Sequence, residues 1–193
     1  MSKIDILQVI RKNRPVFPSL PDQPTNQSPL PADTREQLQL FQQSLKAAGA
    51  EVVELKATEI TGYMATAWQG GVLDFDTPDV RAEYPAGCSL EKLERVEHAA
   101  FTGKIGVAEN GAIWLDDTDM PHRLLPFITQ HLILKLDTSR IVASMQEAYQ
   151  QLRTNDFGFG VFISGPSKTA DIEQSLVYGA HGAKELTVIL YRD

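Results

Sequence analysis

The densest run of residues capable of binding or catalysis lies between 163 and 173, where the sequence reads ISGPSKTADIE. The pattern predicts a strand, a tight Gly-Pro turn and a helix start, and ligands of open α/β sheets lie where such turns follow strands. Backbone N–H groups at a helix N-terminus, two hydroxyls and an ammonium favour a carboxylate or phosphate ligand. The candidate ligand-binding residues of this run are Gly165, Ser167, Lys168, Thr169, Asp171 and Glu173.

A purely structural interpretation of the same run stays open. Ser or Thr at a helix start is an ordinary N-cap, and Asp171 and Glu173 complement the helix dipole without any ligand. Those two carboxylates would also compete with an anionic ligand. The run is not a P-loop, because it lacks the G-x-x-x-x-G-K-[ST] spacing.

A second cluster, YGAHGAKE at 178–185, follows the predicted helix and precedes the last predicted strand. Its glycines, Gly179 and Gly182, permit left-handed backbone. His181 can act as a base or as a ligand-binding group. It can equally satisfy the last carbonyls of the preceding helix, which is the simpler interpretation.

The third cluster, GVAENGAIWL at 106–115, carries a candidate catalytic carboxylate. Asn110-Gly111 is a strong hairpin signal, so a turn between two strands accounts for this stretch by itself. The functional interpretation is that Glu109 lies exposed at a strand end, where it could serve as base or nucleophile.

Arg123 lies between two prolines in PHRLLP at 121–126. A guanidinium fixed in this way can hold a carboxylate through two parallel hydrogen bonds. It can equally pair with the acidic turn at 116–119. That turn and His122 lack the ligand spacing and the glycine of an EF-hand, so no metal site is expected.

Composition and missing motifs exclude several classes of protein. The net charge of -7 and the scattered Lys and Arg residues argue against a nucleic-acid partner. The single cysteine, Cys88, can neither form an internal disulfide nor hold an iron–sulfur cluster alone, and no dinucleotide-binding motif is present, so no cofactor is expected. Without an apolar run of ~20 residues or a signal peptide, the chain is expected to be cytoplasmic and without a membrane span.

The elements that must position these residues follow from hydrophobic periodicity. A helix over 2–12, capped by Ser2, precedes six prolines between Pro15 and Pro31, so residues 1–31 are predicted to form a helix and a proline-rich arm. This arm is expected to pack on the domain at 32–193 or on a second subunit of a homo-oligomer. The first helix of that domain begins at an Asp33/Glu36 capping box and ends at Gly49.

Strands and helices then alternate through both halves of the chain. The predicted helices are 58–68, 139–153 and 169–179, and 77–89 is predicted to be a surface loop. The predicted strands are 50–55, 72–75, 96–101, 105–108, 112–115, 131–136, 159–164 and 186–191. This pattern predicts a three-layer α/β domain, with a mostly parallel sheet and helices on both faces.

Four stretches together resemble the lactate utilisation protein C family, which carries the LUD domain. They are GVAENGAIWL, RLLPF, ISGPSKTADIE and YGAHGAKELTVIL, and their order and spacing match the family over about the last hundred residues. The resemblance implies the NagB/RpiA/CoA-transferase-like fold. It also implies a non-redox role beside two iron–sulfur partner proteins that oxidise L-lactate to pyruvate.

Departures from the family pattern keep other functions open. The family often has Thr at position 110, Arg at 168 and Pro at 183, where this chain has Asn110, Lys168 and Ala183. Lysine cannot form the planar, bidentate hydrogen bonds that arginine forms with a carboxylate, so the ligand of this chain can differ from that of the family. Ala108–Gly111 echoes the Ser-Glu-Asn-Gly motif of CoA transferases, so one alternative is an enzyme that uses Glu109. A scaffold subunit without catalysis is the other.

Overall fold

The first two helices differ in how far the rest of the chain covers them. A computed structural model describes residues 3–13, 33–152, 157–170, 176–179 and 181–192. Helix α1 (Lys3–Lys12) forms as predicted, and none of its residues, all within the described part, is buried. Its expected cap Ser2, the proline-rich segment and the boundary at residue 31 lie outside the described residues, so the division into arm and domain stays a prediction.

Helix α2 (Thr34–Ala48) has the two ends that the sequence predicts. The Asp33 side chain accepts hydrogen bonds from the backbone N–H groups of Arg35 and Glu36, at 2.7 and 3.3 Å. Gly49 ends the helix with a φ of 91°, in the left-handed region that glycine adopts without a steric penalty. The buried face of α2 packs on the core through Phe41 and Leu45.

The main sheet contains five strands within the described residues, and every pairing between them is parallel. Its spatial order is β1-β11-β6-β3-β2. The strands are β1 (Glu51–Lys56), β2 (Leu73–Asp74), β3 (His98–Thr102), β6 (His131–Asp137) and β11 (Glu185–Arg192). This mostly parallel α/β architecture confirms the predicted fold class.

Alternate residues of the central strands pack on opposite faces of the main sheet. On β6, Leu132 and Leu134 belong to the core that includes Phe41 of α2. Ile133, between them, packs with Met64 on helix α3 (Ile60–Ala67), which follows a 3-10 turn at Ala57–Glu59. Both faces are therefore covered, which accounts for the continuous apolar runs of these strands.

A second, four-stranded sheet packs against the first, which the sequence analysis did not foresee. Its strands, in the spatial order β7-β4-β5-β8, are β4 (Ile105–Val107), β5 (Ala112–Asp116), β7 (Ile141–Val142) and β8 (Gly160–Ile163). Strands β4 and β5 form the hairpin predicted from Asn110-Gly111. On β5, Ile113 faces the main core, and Trp114 packs with Ala148 of helix α7 (Met145–Leu152).

Three predicted elements are wrong in type or extent. The helix over 169–179 is instead an antiparallel pair, β9 (Lys168–Ala170) with β10 (Leu176–Tyr178). The helix predicted to begin at 139 begins at Met145, because Ile141 pairs with Gly106 in the second sheet. The predicted loop 77–89 contains helix α4 (Pro78–Glu83), which starts with proline at the position that tolerates it.

Two short helices and a 3-10 turn at Thr138–Arg140, between β6 and β7, complete the described structure. Helix α5 (Leu90–Leu93) is capped by the Ser89 hydroxyl, which accepts from the backbone N–H of Lys92. Helix α6 (Leu125–Ile128) precedes β6. Within the described residues, no helix has both the length and the apolar character that crossing a bilayer requires.

Candidate functional site

Two of the clusters singled out in the sequence meet at the amino-terminal edge of the main sheet. The backbone N–H of Ser167 donates to the carbonyl of Ala183 at 2.8 Å, and the N–H of Gly179 donates to the carbonyl of Ser167 at 3.0 Å. The loop at 181–184 leads directly into β11, so the contact lies where the parallel strands begin.

A cavity of about 250 Å³, here called the motif cleft, separates these two turns from helix α6. Phe127 and Leu132 give it an apolar wall. Ser164, Ser167 and His181 provide its polar groups, and the imidazole of His181 is exposed. An apolar wall with a few convergent polar groups is the usual composition of a small-molecule site.

Gly165 fixes one side of the motif cleft against the end of α2. Its φ is 78°, and a Cβ added there would lie 2.5 Å from the carbonyl oxygen of Ala48. Any other residue would face both an unfavourable backbone conformation and a collision. The turn therefore depends on glycine for reasons independent of any ligand.

Residues 167–169 do not stand at a helix N-terminus, so the helix dipole cannot contribute to anion binding there. Lys168 begins strand β9, so no helix N-terminus stands there, and the turn follows a strand of the second sheet rather than the carboxyl end of a main-sheet strand. The side chain of Lys168 is exposed, and a Cβ on Gly49 would lie 2.9 Å from its Nζ. This ammonium therefore lies beside the C-terminus of α2, where a cation complements the helix dipole.

The structure describes three of the predicted ligand residues only through their backbone or not at all. Thr169 is placed opposite Val177 in the β9–β10 pair. Asp171 and Glu173 lie outside the described residues. Their binding roles stay predictions.

Glu109 occupies the hairpin turn expected for it, but its carboxylate caps a helix. Its Oε1 accepts from the backbone N–H of Met145, the first residue of α7, at 2.7 Å. The neighbouring Asn110 carbonyl accepts from the Ser164 hydroxyl at 2.7 Å, so this turn lies beside the motif cleft. This bond engages one of the two carboxylate oxygens, and the catalytic role of Glu109 stays a prediction.

Arg123 is not brought to the motif cleft. It lines a separate cavity of about 380 Å³ with Asp117 and His122, and its Nη2 lies 2.6 Å from the Asp117 carboxylate. Although desolvation acts to raise the pKa of Asp117, hydrogen bonds from Arg123 and from backbone N–H groups hold it below its ordinary value. The guanidinium thus has the local acidic partner that the sequence left as an alternative.

The carboxylates of the acidic turn at 116–119 have basic partners within the chain. The buried carboxylate of Asp116 accepts from Lys104 Nζ at 2.7 Å and from Trp114 Nε1 at 3.2 Å, and Lys104 also lies 2.8 Å from Asp119. Burial favours a higher pKa for Asp116, but the Lys104 and Thr118 hydrogen bonds hold that pKa below its usual value. Among the described residues no cluster of His, Cys, Asp and Glu suits a metal ion.

A polar network that was not predicted from the sequence surrounds His131. The ring Nε2 lies 2.8 Å from the Thr187 hydroxyl, and Nδ1 accepts from Trp68 Nε1 at 3.1 Å. Glu185 Oε2 lies 3.1 Å from the same Nδ1 and can accept from it only when Nδ1 carries a proton, in which case Trp68 cannot donate to that nitrogen. Burial lowers the pKa of His131 and outweighs the opposing effect of the Glu185 charge.

This network borders a cavity of about 300 Å³, which adjoins the motif cleft because both are lined by Pro166 and Leu186. The exposed ends of Glu51 and Lys184 also reach it. Trp68 and His131 are separated by 63 positions in sequence. No local spacing rule could have paired them, since Trp68 lies at the end of α3 and meets His131 only because that helix packs on the sheet.

Comparisons with known proteins agree on one family. The model of the LUD domain matches residues 91–191, which is more than half of the chain. A lactate utilization protein C from Deinococcus radiodurans is 28% identical over 205 residues, covering 98% of this chain and 95% of that protein. A lactate utilization protein C from Anoxybacillus flavithermus is 31% identical over 106 residues, covering 54% of this chain and 48% of that protein.

Other matches are shorter or more distant. An uncharacterized protein of Neisseria meningitidis is 36% identical over 95 residues, covering 47% of this chain and 41% of that protein, so the chain spans about half the length of several curated relatives. The crystal structure of a DUF162 family protein from Deinococcus radiodurans superposes with a TM-score of 0.60 at 19% identity, covering 83% of this chain and 99% of that one. That likeness supports the fold, and the match to the family model shows that the chain belongs to the LUD domain family.

Proposed function

We propose that this protein takes part in L-lactate utilisation as a non-redox component that binds a small carboxylate, lactate or pyruvate, in the motif cleft. The family supports a place in this process, because several relatives are named lactate utilization protein C. One of them aligns with almost the whole chain.

The observation that carries the proposal is the joining of two motifs across one small cavity. The Ser167–Ala183 and Gly179–Ser167 hydrogen bonds hold the turns together and leave two donors at the rim, the Ser167 hydroxyl and the His181 imidazole. A carboxylate accepts two or more hydrogen bonds, and a short apolar chain fits against Phe127. A three-carbon acid meets both requirements.

The redox step is assigned to partner proteins. Oxidation of lactate to pyruvate removes two electrons and two protons, which must pass to an acceptor. The single Cys88 cannot supply the thiolates of an iron–sulfur cluster. Iron–sulfur partners would therefore carry the electrons, while this chain holds the acid.

The test is isothermal titration calorimetry of the full chain with L-lactate and with pyruvate. His181→Ala and Ser167→Ala remove rim donors, and a loss of at least about tenfold in affinity is expected for each, in line with a lost hydrogen bond to a charged group. Arg123→Ala is the matched control, because it removes an exposed cation that lines a different cavity.

Either of two results would overturn the proposal. One is that neither acid binds the unaltered protein, which would favour a scaffold role. The other is that Arg123→Ala weakens binding as much as His181→Ala, which would mean that the acid responds to overall charge rather than to the motif cleft. A glutamate-dependent transferase would instead lose its activity in Glu109→Gln with lactate binding unchanged.

A further inference from the structure

A second and larger cleft lies at the opposite edge of the main sheet, where the parallel strands end. Its volume is about 610 Å³, against about 250 Å³ for the motif cleft. Thr102 ends β3 and Asp137 ends β6, and Tyr191 is the penultimate residue of β11. We call this cavity the carboxyl-end cleft.

The position of the carboxyl-end cleft is the usual one for ligands of parallel sheets. In open α/β sheets, ligands bind in the crevice outside the carboxyl ends of the strands. Its volume lies within the range of small-molecule sites. None of the residues reported to line it belongs to the family motifs at 164–167 or 181–183.

One cation at this cleft is available for a ligand. The Arg140 side chain is exposed and forms no ion pair with any residue that the structure describes. Lys104, which also lines the cleft, differs because Asp116 and Asp119 already hold its ammonium at 2.7 and 2.8 Å. An unpaired guanidinium in the 3-10 turn that follows β6 suits a carboxylate or phosphate, since it can donate two parallel hydrogen bonds.

Charges of both signs lie at this edge of the sheet. Lys56 ends β1 and lies in register with Arg192, which ends β11, and both side chains are exposed. The carboxylates of Asp74, Asp76 and Asp137 lie toward the same edge, so a ligand there meets acceptors as well as cations.

The remaining polar groups of the cleft suit hydroxyls on the ligand. The Asp137 carboxylate accepts one backbone hydrogen bond, from Ser139 at 2.8 Å, and retains further acceptor sites. The Thr102 hydroxyl donates to Asp76 at 2.5 Å and can still accept a hydrogen bond. A bare inorganic anion would leave these acceptors without donors.

We propose that the carboxyl-end cleft binds a small hydroxylated anion, whose carboxylate or phosphate pairs with Arg140 and whose hydroxyls donate to Asp137 and Thr102. This site is separate from the motif cleft and does not depend on the function proposed for it. Hydroxy acids and sugar phosphates share this chemistry, so the experiment has an arm for each.

The experiment is calorimetric titration of the full chain with glycerate, with glycerol 3-phosphate and with inorganic phosphate. Binding of glycerate or of glycerol 3-phosphate is expected, and the tighter of the two identifies the anionic group. Arg140→Met should weaken that binding at least tenfold. Arg95→Met is the matched control, because Arg95 is an exposed arginine, paired only with Glu91 among the described residues, and does not line the cleft.

His181→Ala separates this proposal from the proposed function. Binding that survives His181→Ala and is lost in Arg140→Met supports the carboxyl-end cleft, whether or not lactate binds elsewhere. The reverse pattern overturns the assignment, as does the absence of binding by either hydroxylated anion. Equal weakening by Arg95→Met would reduce the effect to overall charge, and equal affinity for inorganic phosphate would rule out the role of Asp137 and Thr102.

Discussion

The two edges of the main sheet hold their polar residues in different ways. At the amino-terminal edge, His131 is linked to Thr187 and Trp68 through hydrogen bonds between uncharged groups. Toward the carboxyl-terminal edge, the nearly buried ammonium of Lys135 lies 2.6 Å from both Asp74 and Asp76. The cluster at the amino-terminal edge depends on the protonation state of His131, whereas the cluster at the other edge is held by ion pairs.

This difference follows from the chemistry of the two cations. A buried imidazole avoids the free-energy penalty of desolvation by remaining neutral, because its ordinary pKa is close to physiological pH. Making a lysine neutral at physiological pH costs far more free energy than making a histidine neutral, because lysine is the stronger base. Lys135, whose side chain is 8% exposed, is instead stabilised in its charged form by two carboxylates. The same sheet geometry thus supports two kinds of polar cluster.

The largest effect is expected from removing the ion-paired cation. Lys135→Met should lower the free energy of unfolding by about 3–5 kcal/mol, because it leaves two neighbouring carboxylates without their counterion. Urea denaturation measures the change. Adding Asp74→Asn and Asp76→Asn to the same chain should recover part of the loss. A loss below about 1 kcal/mol in the single variant would mean that these pairs contribute no more than surface ones.

A smaller loss is expected at the amino-terminal edge from Gly165→Ala. The left-handed φ and the collision with Ala48 should together lower the free energy of unfolding by about 2–4 kcal/mol. Gly70→Ala is the matched control, because Gly70 has a φ of 88° but nothing within 4 Å of an added Cβ. It should lose only about 1 kcal/mol. Equal losses would show that α2 yields to the new methyl group.

The smallest effect is a change in pH dependence caused by His131. Its folded pKa lies below its ordinary value of 6.5, so the unfolded chain binds this proton more readily than the folded chain. As pH falls below 6.5, the unaltered protein should therefore lose stability through His131, and His131→Gln should not. The urea midpoints of the unaltered protein and of His131→Gln should differ by a constant amount above pH 7. They should approach each other as the pH is lowered to 5. A gap that widens instead would reverse the sign assigned to this group.

Sequence periodicity was sufficient for most of the main sheet. Helix α2 carries its own cap and stop signals in Asp33 and Gly49, and the buried strands are continuous apolar runs bounded by turn residues. The Asn110-Gly111 hairpin is equally local, because glycine supplies the positive φ of the turn. These elements are set by residues a few positions apart.

The errors arose where pairing across the chain decides the structure. Residues 168–170 and 176–178 become strands because each has the other as a partner, and a helical spacing of residues could not reveal that. The polar clusters that were not predicted have the same origin, because those of His131 and Lys135 join residues more than sixty positions apart. Arg123 differs, because its partner Asp117 is six positions away and belongs to the acidic turn that the sequence offered as an alternative.

The order of the main sheet has a consequence for synthesis on the ribosome. Strand β11 lies between β1 and β6, although it follows both in the chain by dozens of residues. A nascent chain that has already made β1 must therefore carry it with an open edge until β11 emerges. The charges at Glu51, Glu54 and Lys56, which lie on either side of the two adjacent valines and the leucine of this strand, would keep other chains from pairing with it during that interval.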